Sequence, residues 1–141
     1  MARLQLALNV DDLDAAVDFY SRLFATPAAK RRPGYANFEV ADPPLKLVLF
    51  ENQEAPATLN HLGVEVTSPD EVGTATARLA DEGLAPVDGS GTCCYADQDK
   101  VWVTAPDGQR WEIYTVLADS PTFFAEAAAE PAAEVTGTCC A

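Results

Sequence analysis

Asn60-His61-Leu62-Gly63-Val64-Glu65-Val66 is the stretch that decides the fold. Its residues alternate, His61, Gly63 and Glu65 toward one face and Leu62, Val64 and Val66 toward the other, which is the period of a half-buried strand. The same alternation opens the chain, where Leu4, Leu6, Leu8 and Val10 oppose Arg3, Gln5, Ala7 and Asn9. Laying one stretch on the other puts His61 where Gln5 stands. Each is followed by a helical pattern and then by further strands, so the chain carries an internal repeat.

Working outward through the first copy, Asp11-Asp12 can cap a helix, and Leu13, Ala16, Val17, Tyr20, Leu23 and Phe24 fall at helical spacing. The basic, Pro-containing Lys30-Arg31-Arg32-Pro33-Gly34 reads as a loop, and Ala41-Asp42-Pro43-Pro44 as the turn between strands over 35–40 and 45–50. In the second copy Ser68-Pro69-Asp70-Glu71 is a capping box with proline at the first helical position. Val72, Ala75, Thr76 and Leu79 then form the inner stripe up to a stop at Gly83. A loop holding Cys93-Cys94, a strand over 100–104, the turn Ala105-Pro106-Asp107-Gly108 and a strand over 110–115 complete it.

The expectation is an α+β fold of two βαβββ modules, 1–53 and 58–118, in one domain spanning 1–118. One helix covers one face of each module's sheet, and the other faces, carrying Gln5 and His61, are free to meet across a shared cup. The Ala- and Glu-rich residues 119–141 read as a flexible C-terminal tail.

A chain of 141 residues, 48% of them apolar, is enough for one domain with a real core. No run of eighteen apolar residues occurs, and Met1-Ala2-Arg3 leads directly into a strand pattern. Neither a membrane span nor a secretory signal is expected, and a soluble, cytoplasmic protein is. With 22 Asp and Glu against 9 Lys and Arg, the formal charge of -13 would repel a phosphate backbone, which argues against nucleic acid. The four cysteines form two adjacent pairs, Cys93-Cys94 and Cys139-Cys140, and in a reducing cytosol the thiol form is expected.

His61 is the single histidine. A lone histidine in a strand is commonly structural, but the repeat pairs it with Gln5. The last strand places Glu112 on one face with Arg110 and Tyr114, and a carboxylate on a well-packed strand is costly to bury unless paired or bound to a cation. Gln5, His61 and Glu112 offer an amide oxygen, an imidazole nitrogen and a carboxylate. That set is too hard and too small for a closed structural zinc site, and it suits a divalent metal with open positions. Val48 stands where a fourth ligand would be. Cys93 and Cys94 differ in kind. Either one packs inward and the other is incidental, or the two thiolates hold a trivalent metalloid that bears one organic group and leaves two valences for sulfur.

Leu4-Gln5-Leu6-Ala7-Leu8-Asn9-Val10, Leu59-Asn60-His61-Leu62-Gly63-Val64, Thr92-Cys93-Cys94-Tyr95-Ala96, Asp99-Lys100-Val101-Trp102-Val103 and Pro106-Asp107-Gly108-Gln109-Arg110-Trp111-Glu112-Ile113-Tyr114 together resemble the carbon-arsenic lyases of the vicinal oxygen chelate superfamily. That subfamily also includes proteins labelled cadmium-induced. The resemblance covers residues 2–118. It implies a vicinal oxygen chelate cup around a metal site and a non-haem Fe(II)-dependent, O2-using enzyme of dioxygenase type. Such an enzyme removes a methyl or aryl group from trivalent organoarsenicals and leaves arsenite.

By position, Gln5, His61 and Glu112 would hold iron, with Ni, Co or Mn able to occupy the site, and Cys93 and Cys94 would hold the arsenic. No catalytic residue beyond the metal ligands is implied. The partners are the organoarsenical and O2, with no nucleic acid and no membrane, in a monomer or homodimer. A Gly89- and Gly91-containing loop would close toward the iron. Two other functions stay open: cadmium or arsenic sequestration without catalysis, and a glyoxalase-type enzyme, against which Val48 argues. Cys139-Cys140 falls outside the core motif, as an arsenite-collecting pair or an uninvolved tail.

Overall fold

The structure, a computed structural model, describes residues 2–124. It divides into two compact units, Arg3–Gly63 and a second from Val64 onward. In the first, β1 (Arg3–Val10) leads into α1 (Leu13–Leu23), followed by β2 (Lys30–Arg32), β3 (Tyr35–Val40), β4 (Leu45–Glu51) and the start of β5 (Leu59–Glu65). The strands lie in the order β2-β3-β4-β1-β5. β1 and β4 run parallel, with Gln5 beside Lys46 and Ala7 beside Val48, while β2-β3 and β3-β4 are antiparallel.

Alternation along these strands separates two faces. Leu6, Leu8, Ala36, Phe38, Val40, Leu47 and Leu49 pack with Leu13, Ala16, Val17 and Tyr20 of α1. Each fully buried leucine there stabilises by roughly 1.5–3 kcal/mol. The helix starts at Asp12, whose side chain accepts from the Ala15 amide at 3.1 Å, and Glu51 Oε2 accepts from the Leu13 amide at 2.8 Å. The opposite face carries Gln5, Tyr35, Asn37, Lys46, Val48, Phe50 and His61, all buried although four of them are polar or charged.

Lys30–Arg32, expected as a loop, forms β2 and pairs with β3, and Pro33-Gly34 makes the tight turn with Gly34 at φ 70°. Three basic residues hide the strand from hydropathy because β2 ends the strand order of this unit, and charged side chains are how exposed edges avoid further pairing.

The second unit holds α2 (Pro69–Asp81), β6 (Val87–Asp88), β7 (Gly91–Cys93), β8 (Ala96–Thr104) and β9 (Arg110–Asp119). Ser68 caps α2 by accepting from the Glu71 amide at 3.3 Å, and Glu71 Oε2 accepts from the Thr67 amide at 2.7 Å. Gly83, at φ 78°, supplies the left-handed residue that ends the helix. β6 and β7 both pair with β8, and β8 pairs antiparallel with β9. Val72 and Leu79 of α2 pack on Val101, with Val66, Val103 and Ile113 around them. The other face of β8 and β9 presents Gln98, Lys100, Trp102, Glu112 and Tyr114, again buried.

The expected cysteine loop is instead a hairpin. Cys93 ends β7 opposite Ala96, and only Cys94 and Tyr95 form the turn. Pairing wins because β8 reaches back to Ala96, four residues before the expected strand start, and lines up its backbone for Gly91–Cys93. β9 runs to Asp119, and the chain then returns across the hairpin. The Ser120 amide donates to the Tyr95 carbonyl at 2.8 Å, and Phe124 bridges to Cys93. The start of the expected tail is therefore attached, whereas Cys139 and Cys140 lie outside the described residues. Among those described, no helix is long and apolar enough to cross a membrane.

Candidate functional site

Gln5 and His61 come together. β1 and β5 are neighbours in the first unit, and Gln5 Nε2 lies 3.2 Å from His61 Nε2, with both residues buried. The other ring nitrogen, His61 Nδ1, sits 2.7 Å from Asn60 Oδ1. Phe50 flanks the imidazole at 6.4 Å between ring centroids, and Tyr35 in turn packs on Phe50 at 5.7 Å. Tyr35 Oη accepts from Asn37 Nδ2 at 2.9 Å. Asn37 Oδ1 is buried without a hydrogen-bond partner among the described residues, and a buried orphan of this kind calls for a water, an ion or a ligand. Val48 is buried on this face and offers no donor.

Glu112 belongs to the second unit, where Lys100 Nζ donates to its Oε2 at 2.9 Å. Their side chains are 1% and 4% exposed, so this is a pair inside the protein, where losing either partner strands a charge. Lys100 also lies over the rings of Trp102 and Tyr114 at 5.5 and 5.7 Å, and Arg110 stacks on Trp102 at 4.2 Å. Burial pushes the Arg110 guanidinium below its ordinary value while the Glu112 carboxylate pulls it back up. Sequence reasoning missed Lys100. The available signal was register: with the turn fixed at 105–108, β8 sets Trp102 against Glu112 and Lys100 against Tyr114, which brings the ammonium diagonally beside the carboxylate.

The cysteines are adjacent in space as well as in sequence, with Sγ atoms 2.9 Å apart. Cys93 is 1% exposed. Cys94 and Tyr95 both take positive φ, 56° and 61°, the pattern of a two-residue I′ turn. Non-glycine residues there cost about 1–3 kcal/mol each, and such positions cluster where function demands them. Gln98 Nε2 donates to the Cys93 carbonyl at 2.9 Å, and Gln98 Oε1 is a second buried atom without a partner among the described residues. The Tyr95 ring meets Phe123 edge-on at 5.4 Å, and Phe123 meets Phe124 at 4.7 Å.

Gly89, expected to lend freedom to this segment, instead allows close packing. A Cβ there would stand 2.6 Å from the Trp102 ring.

The model of the glyoxalase/bleomycin resistance protein/dioxygenase superfamily matches residues 3–113. The chain belongs to that superfamily. Its α+β fold is accordingly the vicinal oxygen chelate fold, consistent with the alternating strands and the two helices described above. Within the superfamily, the chain is 65% identical over 124 residues to the cadmium-induced protein CadI of Mycobacterium tuberculosis, covering 87% of this chain and 82% of that one. It is 58% identical over 124 residues to a trivalent organoarsenical cleaving enzyme of Thermomonospora curvata, covering 86% and 82%. The fold is shared with the Mn(II)-bound glyoxalase from Novosphingobium aromaticivorans at a TM-score of 0.57 and 16% identity, over 85% of this chain and 42% of that one.

The donors in the first unit fit a divalent metal. An imidazole nitrogen and an amide sit side by side away from water, and the second ring nitrogen is held by a neighbouring carbonyl oxygen, as ligating histidines are. Among the described residues no three His, Cys, Asp or Glu side chains converge.

Proposed function

We propose that this chain is a carbon-arsenic bond lyase that takes trivalent organoarsenicals to arsenite, with Cys93 and Cys94 holding the arsenic and Gln5, His61 and Glu112 holding Fe(II). The supporting observation is the closeness of the two cysteine sulfurs. Two sulfurs 2.9 Å apart, one at the end of β7 and the other on the strained turn that follows it, can both reach one atom, and a trivalent arsenic carrying one organic group has two valences to give them. The relative named as a trivalent organoarsenical cleaving enzyme supports the substrate class, and the dioxygenases in the superfamily support the use of O2.

Bound Fe(II) would supply the activation of O2. The residues of this chain do the remaining work. Cys93 and Cys94 displace two oxygen ligands from the arsenic and keep it in one orientation. Gln98 fixes the Cys93 carbonyl and thereby the strand that carries the first sulfur. Tyr95, Phe123 and Phe124 form an aromatic cluster next to the hairpin that carries the cysteines, which favours an apolar group on the arsenic. The balance closes without outside electrons: methylarsonous acid and one O2 contain the atoms of formaldehyde and arsenous acid.

The name of the cadmium-induced relative favours a second reading, in which the same thiols only capture soft ions. Product analysis separates the two. Protein reduced and loaded with Fe(II) under argon, then given methylarsenite and air, is expected to release arsenite. Stoichiometric retention of methylarsenite with no arsenite would establish capture instead.

A further inference from the structure

Two asparagines form a relay behind His61. Asn9 Nδ2 donates to the Ala57 carbonyl at 3.0 Å, Asn60 Nδ2 donates to Asn9 Oδ1 at 3.0 Å, and Asn60 Oδ1 faces His61 Nδ1 at 2.7 Å. The direction of this chain is set at its far end. A backbone carbonyl can only accept, so Asn9 must turn its NH2 toward Ala57 and its oxygen toward Asn60. Asn60 must then answer with its NH2, which leaves its own oxygen for the imidazole. An oxygen accepts, so His61 carries its proton on Nδ1 and its lone pair on Nε2.

We infer that Asn60, backed by Asn9, is a positioning residue that locks His61 in the tautomer whose Nε2 lone pair can bind a metal. The opposite end of the ring agrees, since the Gln5 amide nitrogen, a donor only, lies 3.2 Å from Nε2. Free imidazole side chains favour the other tautomer, with the proton on Nε2, so an unassisted histidine would present the wrong nitrogen to a cation. The relay also fixes the ring plane, because Asn9 is on β1 and Asn60 on β5 and both backbones are held: the Asn9 amide donates to the Thr58 carbonyl at 2.6 Å. The relay rests on the proposed function only in taking His61 as a ligand. The tautomer itself is a property of the metal-free protein.

His61 is the one histidine of the chain, so nitrogen-15 NMR of the ring reports it without assignment ambiguity. In metal-free wild type, Nδ1 is expected to show the pyrrole-type shift and Nε2 the pyridine-type shift. Asn60→Leu should move the population toward Nε2–H and weaken Fe(II) binding under argon by about 10- to 100-fold, the usual effect of removing the group behind a ligating histidine. Asn60→Asp loses the donor to Asn9 Oδ1 but keeps an acceptor for the ring, and should keep the proton on Nδ1. Asn9→Ala frees Asn60 to turn over and should give a mixture, which a purely structural role would not. An Nε2–H signal in the metal-free wild type, or an Asn60→Leu protein with unchanged tautomer and affinity, overturns the relay. If Fe(II) neither shifts nor broadens the ring signals of wild type, the ligand role fails instead, and the metal-free spectra still decide the relay.

Discussion

Replacing Lys100 with methionine keeps most of the length of the side chain and removes its charge, which isolates what the ammonium does for Glu112. The two groups are 2.9 Å apart and almost wholly buried, and breaking such a pair from one side typically costs about 3–5 kcal/mol because the remaining charge has no solvent. Arg110, on the same face of β9, offsets part of that cost, so the lower end of the range is expected. For a chain of 141 residues, 1 kcal/mol moves the thermal midpoint by roughly 3 °C, so Lys100→Met should melt about 10 °C below wild type.

Urea denaturation of the single variants and of Lys100→Met/Glu112→Leu completes the cycle. The double variant should recover to within about 1 kcal/mol of wild type, since an apolar pair can replace a buried ionic one. If Glu112 is also a metal ligand, Fe(II) under argon should raise the midpoint of Lys100→Met more than that of wild type. A Lys100→Met protein within 1 kcal/mol of wild type would refute the claim that Lys100 neutralises Glu112.

Gly89→Ala would place a methyl 2.6 Å from the Trp102 ring, and overpacking of this kind should cost about 1–3 kcal/mol in urea and shift the tryptophan emission. Leu49→Ala opens a cavity under α1 and should cost about 2–5 kcal/mol in the same assay. Ser68→Ala removes the α2 cap and should cost about 1 kcal/mol. The hydrogen bonds from Thr67 hold the Glu71 carboxyl below its ordinary 4.5, so the support it gives α2 is complete above that value and is lost as pH falls through the depressed one. Amide protection factors at the start of α2, from exchange rates corrected for their intrinsic pH dependence, should therefore fall on acidification in wild type and stay level in Glu71→Gln.

The elements most legible in the sequence are those in which local chemistry and burial agree. The alternation of Arg3–Val10, the cap at Asp12 and the Ser68-Pro69-Asp70-Glu71 box each state a local preference that packing then uses. β2 was hidden because its three basic residues answer to its edge position. The cysteine hairpin was hidden for a different reason: Cys94 and Tyr95 are poor residues for a turn needing positive φ, and a pairing set by β8 overrides them. At the site, the repeat makes Gln5 and His61 equivalent positions, and the structure sets them on the neighbouring strands β1 and β5. Lys100 and the two asparagines did not follow from the repeat. Their roles depend on cross-strand register and on side-chain hydrogen bonds, which one-dimensional spacing does not encode.

In the proposed function arsenic binding and bond cleavage belong to different residues, and arsenic X-ray absorption on His61→Ala tests that division most directly. Reduced His61→Ala, given methylarsenite in air, should show arsenic bound to two sulfurs and one carbon, with no arsenite released. Cys93→Ser should lose the two-sulfur signal. Arsenite release by His61→Ala, or arsenic without sulfur neighbours in that variant, would contradict the account.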